Sequence, residues 1–168
     1  MYSMCVAMVL EITEARLLAF ACVVVILTIY SILDLRERRV SNDVIISGII
    51  IGLILDAASG HIISALPLHL IALSFTSIMA LGLFRLGAIG GADAKSVVTV
   101  SLVSPGIEFS MMENQIFEGI VGCAIMLFIM FLLGHIYQVM KKDRPSPTTP
   151  LIPFLLMGYL VIQLLALF

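Results

Sequence analysis

Tryptophan is absent from this chain, charged residues make up only 12% of it, and its three cysteines form no CxxC pair. Without such pairs there is no zinc ribbon and no redox motif. Cys5, Cys22 and Cys123 each sit inside an apolar run and read as small buried residues. The net charge of −2 offers no basic surface, so no nucleic-acid partner is expected. Residues Met1–Leu10 lack the basic start of a signal peptide and are followed by Glu11 and Glu14, so they read as a short, weakly amphipathic lead-in. With no Trp, anchoring at a membrane interface falls to Tyr, Lys and Arg.

What fills the chain instead is hydrophobicity. Over 168 residues, 61% are hydrophobic and the mean hydropathy is +1.19, which excludes a soluble domain of this size. The length suits one unit spanning residues 1–168. Apolar stretches fall at Leu17–Leu33, Val44–Ala58, Ile62–Phe84, Ser96–Ile107, Ile116–Val139 and Leu151–Phe168. A bilayer core about 30 Å thick needs about 20 helical residues. The second and fourth stretches are short, and span only if protein or water satisfies their ends. The expected fold is all-α: a polytopic membrane protein with about six transmembrane helices.

Orientation follows from the basic residues. Eight of nine lie in three alternate connections: Arg36, Arg38 and Arg39; Arg85 and Lys95; Lys141, Lys142 and Arg144. The opposite side carries Glu11, Glu14, Asp56, Glu108, Glu113 and Glu118 with only Arg16. The positive-inside rule places the three basic connections in the cytoplasm and both termini outside. Arg144–Pro150, with three prolines among Ser and Thr, reads as a linker.

Carboxylates at membrane depth are costly and mark function. Asp34 closes the first stretch and Asp93 opens the fourth, so both lie at cytoplasmic helix ends although 59 positions separate them. Two carboxylates at one depth in a low-dielectric bundle do not both ionise easily. One keeps its proton, which supplies an acid and a base at the same pH. Gly87, Gly90 and Gly91 precede Asp93, and small residues there let another backbone approach the carboxylate. Helix–helix packing is the other use of such glycines.

An Asp followed by a basic loop and Val40-Ser41-Asn42, then Gly90-Gly91-Ala92-Asp93-Ala94-Lys95, resembles the type IV prepilin peptidases, membrane aspartyl peptidases with a GxGD signature. The minimal length and the Gly-Gly-Ala-Asp-Ala-Lys form look more like the archaeal branch, the preflagellin and prepilin peptidases. Pro150 through Gly158 is similar to the family's proline-containing last helix. The resemblance implies that Asp34 and Asp93 are the catalytic pair and that Gly90, Gly91 and Ala92 form the signature loop. It also implies a peptidase in the plasma membrane that removes, at the cytoplasmic face, a short basic leader from pilin-like or archaellin-like precursors. Ser41 stands where the pattern often has proline, and Ala92 where it often has glycine; Ser41 or Asn42 is expected to cap the second helix. The first loop, about ten residues, is too short for the methyl-donor region of the bacterial enzymes, so a peptidase alone is expected, with no cofactor.

Lys95 either lowers the pKa of Asp93 or snorkels to the headgroups. Glu37 and Asp43 lie near the site as substrate contacts or solvated residues. His61, His69 and His135 have no spacing suited to a metal, and Asp56 and Glu118 read as helix-end residues. A reading from another class is a small ion-coupled transporter with Asp34 and Asp93 as proton or cation ligands, although transporter sites favour the midplane and repeated halves.

Overall fold

The computed structural model describes residues 2–107, 114–141 and 149–165, and every regular element among them is helical. The helices are α1 (Tyr2–Glu37), α2 (Asn42–Ala58), the single turn α3 (His61–Ser64), α4 (Leu66–Arg85), α5 (Gly91–Val103), α6 (Gln115–Met140) and α7 (Ile152–Leu165). Among the described residues, three stretches are long and apolar enough to cross a bilayer: Glu14–Glu37, Leu66–Arg85 and Ile116–Met140. Ile152–Leu165 is a shorter apolar helix. Glu108, Glu113, Lys142, Arg144 and most of the proline-rich linker lie outside the described residues.

Three boundaries differ from the sequence expectation. No separate lead-in precedes the first span, because α1 runs unbroken from Tyr2. The third stretch is split at Ala65, the N-cap of α4, with Pro67 in that helix's first turn. Proline lacks an N–H and its ring clashes with the carbonyl four residues back, so it starts a helix and does not continue one. The fourth stretch is shifted toward the N-terminus. α5 begins at Gly91 and ends before Pro105-Gly106.

The six longer helices close into a ring in the order α1, α2, α5, α4, α6, α7 and back to α1, with α1 also touching α5 across it. Val23, Leu27, Tyr30, Val97, Val103, Met130, Ile152 and Leu155 form the core. Lipid tails are as apolar as these side chains, so close packing and interhelical hydrogen bonds must hold such a ring together. Both are present. Tyr30 donates its hydroxyl to the Ile45 carbonyl at 2.9 Å, joining α1 to α2. Ser101 donates to Thr76 at 2.7 Å, joining α5 to α4, and Ser104 and Tyr159 share a 2.8 Å bond. At Gly158 a Cβ would lie 2.8 Å from the Met126 carbonyl oxygen, so only glycine lets α7 lie this close to α6.

Polar groups at the end of the bundle away from Asp34 are tied into the fold. Glu118 accepts from the Ile107 N–H at 3.0 Å, and buried Asp56 faces His69 Nε2 at 3.4 Å. Both acids therefore fasten helix ends, as expected. Cys22 and Cys123 are free thiols, Cys123 buried.

Candidate active site

α2, α5 and α7 all begin, and α1 ends, at one cavity of about 580 Å³. Its walls bring Asp34 together with Asp93, alongside Glu37, Arg38, Asn42, Gly90, Gly91, Ala92 and Pro150. Residues 59 positions apart in sequence thus share one chamber, close enough for the charge of Asp34 to act on Asp93.

Asp34 lies on the last turns of α1, on the helix face that buries Leu27 and Tyr30, and is itself only 8% exposed. Its carboxyl accepts a hydrogen bond from the backbone N–H of Ile152, the first residue of α7, and the charge of Arg38 acts on it. Its second oxygen, Oδ2, is buried with no hydrogen-bond partner in the protein, as is the Ser31 hydroxyl one turn earlier. A buried polar atom left unsatisfied is uncommon and calls for a reason.

Asp93 occupies the third position of α5, half-buried. Its Oδ2 accepts from the Gly90 N–H at 2.9 Å, closing the first turn back on its own N-cap. That bond explains why α5 starts at Gly91 within a run of glycines. It also separates the roles of the glycines. Gly87 has φ 72°, in the left-handed region where side chains are strained. At Gly90 a Cβ would press on Asp93 Oδ2 at 2.9 Å, whereas at Gly91 it would meet only the Phe84 ring at 3.6 Å. Ala92 lies within helix α5 and packs against the core, so a left-handed backbone is not required there.

Asp93 also borders a second cavity of about 610 Å³, lined by His135, Gln138, Phe131 and Leu151. The two cavities share Gly90, Asp93 and Thr149. Asp93 therefore borders both chambers.

Two expectations at this site are corrected. Ser41 is the N-cap residue of α2, but its side chain makes no capping bond. Asn42 does not cap either, because its Oδ1 accepts from Lys95 Nζ at 2.6 Å. Exposed Lys95 thus reaches across to α2. The exposed Glu37 lines the Asp34 cavity, and the exposed Asp43 lies at the mouth of a separate apolar groove between α1 and α2. Sequence reasoning missed the N-terminus of α7 as a partner of Asp34. The Pro150–Pro153 pair marks a helix start, yet nothing in it says which carboxylate that start will face.

Among the described residues, no group of three or more His, Cys, Asp or Glu is placed to hold a metal ion. A model of the type IV leader peptidase family matches residues 21–139, a range that includes both aspartates and stops short of α7. No match is found among curated proteins or among solved structures.

Proposed function

The chain belongs to the type IV leader peptidase family, and from that premise we propose that it is a membrane-embedded aspartic endopeptidase with Asp34 and Asp93 as its catalytic pair. The observation that carries this reading is the meeting of the two carboxylates in one cavity at the ends of α1 and α5. One aspartate, ionised, takes a proton from water as the water oxygen bonds to the scissile carbonyl carbon. The other, protonated, polarises that carbonyl and gives its proton to the nitrogen as the C–N bond breaks. The unsatisfied Oδ2 of Asp34 is a group available for such work. The pair titrates as a unit, so the two roles belong to the dyad and not to a fixed residue.

The substrate is a pilin-like or archaellin-like precursor, entered as an extended peptide past Asp93, with Gly90, Gly91 and Ala92 bordering its path. Glu37, on the cavity wall with Arg38 and Arg39, is the acidic side chain there that suits a basic residue of the leader. Basic residues concentrated at this end support a cut on the cytoplasmic side of the plasma membrane.

The test is cleavage of a pilin-like precursor by the purified chain, with new N-termini located by mass spectrometry. Asp34→Asn and Asp93→Asn should each lower the rate by on the order of a hundredfold or more. The double variant should be no worse than either, because groups acting as one unit are not additive. Chelators should leave the wild type unchanged. Its activity should fall at low pH, where both carboxyls are protonated and the base is lost, and at high pH, where both ionise and the acid is lost. Substantial cleavage by either single variant would overturn the dyad, and cation-dependent solute flux without cleavage would favour the transporter reading.

A further inference from the structure

Lys95 Nζ donates to Asn42 Oδ1 at 2.6 Å, a side-chain bond that joins α5 to α2 beside the site. Asn42 opens α2 directly after the loop that leaves Asp34, and Lys95 lies two residues beyond Asp93 on α5. Neither side chain serves its own helix. No side chain caps α2 at Ser41, and the first turn of α5 is closed by Asp93 itself. Both are exposed at the rim, where a lone hydrogen bond adds little to stability. Its place gives it another use. The α1–α2 connection is short, so fixing its far end to α5 limits how far the end of α1 can move from the start of α5.

We infer that Asn42 and Lys95 are positioning residues that hold the Asp34-bearing and Asp93-bearing helix ends in reactive register. The inference rests on the dyad reading above. Lys95 acts as a hydrogen-bond donor to a neutral amide, and its effect on chemistry runs through the separation of the two carboxylates. Small errors in such a separation are expensive, since a misplacement of about 1 Å can cost on the order of a hundredfold in rate.

The experiment uses the full chain reconstituted in liposomes, a pilin-like precursor, and the variants Lys95→Met, Asn42→Leu, their combination, and the exchanged pair Asn42→Lys with Lys95→Asn. Each single loss should lower kcat by on the order of tenfold to a hundredfold with KM unchanged. The combination should be no worse than either single variant. The exchanged pair, with donor and acceptor reversed, should recover most of the lost rate. Thermal unfolding midpoints should stay near that of the wild type in all four. Full kcat in either single variant, multiplying losses in the combination, or a raised KM with kcat kept would overturn the inference, the last by making Lys95 a substrate contact. Asp34→Asn run alongside separates the two readings. If it abolishes cleavage while Lys95→Met does not slow it, the dyad stands and the positioning pair falls; if it cleaves normally, the dyad itself falls.

Discussion

Arg38 carries a positive φ of 52°, the only described non-glycine residue to do so. It follows the last residue of α1, and its N–H still bonds the Asp34 carbonyl at 3.0 Å. Glycine is the usual occupant of such a helix end, and a Cβ there costs roughly 1–2 kcal/mol. Arg38→Gly should therefore raise stability by about 1 kcal/mol, read as a higher unfolding midpoint in detergent. A lower midpoint would mean that the guanidinium contributes more than the backbone strain costs. At Gly90 the expectation runs the other way. Gly90→Ala pushes the Asp93 carboxylate off its N–H and should slow cleavage by about tenfold, whereas Gly91→Ala should stay within about twofold of the wild type. Equal effects from the two would return both glycines to packing. The sequence makes the two glycines look alike; which one touches the carboxylate depends on where α5 starts, and that is set by the Asp93–Gly90 bond.

α6 and α7 meet through Gly158, and the neighbour a Cβ would strike is a backbone oxygen, which has no rotamer to escape into. Gly158→Ala should cost about 1–3 kcal/mol. It should also slow cleavage, because the start of α7 meets Asp34 through Ile152. Lost stability with normal kcat would show that the α7 contact does not matter to the chemistry. Elements were partly legible in advance. Each of the six longer helices coincides with an apolar stretch, but Pro67 was hidden inside a continuous apolar window. The start of α5 was read close to Asp93, and only its first two residues, Gly91 and Ala92, were left to the glycine-rich loop. In both places a local stereochemical cue outweighs hydropathy, which averages over a whole turn and more.

The ring order of the helices was not legible at all. Helices that are apolar on nearly every side have little amphipathic direction, so the sequence does not say which face meets which neighbour. What carried across was the pairing of ends: basic connections and helix lengths put Asp34 and Asp93 at one depth, and the structure closes them into one cavity. The same pairing gives a topology test. Cysteines placed at Arg38 and at Ser59, with native cysteines removed, should react with an impermeant thiol reagent from opposite sides of intact cells. Labelling of both from one side would contradict a bundle in which α2 crosses the membrane.

Three helices start at the cavity, and a helix start is the positive pole of its macrodipole, with free N–H groups pointing outward. α2, α5 and α7 therefore aim three such poles at the place where two acidic side chains crowd together. Each pole favours nearby negative charge by about 0.3–1 kcal/mol near a surface, and by up to about 2 kcal/mol where partly buried. Together they offset part of the repulsion between the carboxylates. They would also favour the oxyanion that forms as a peptide carbonyl is attacked. Because these charges belong to the backbone, no side-chain substitution removes them, and the preference for negative charge at this end of the bundle is built into the direction in which its helices run.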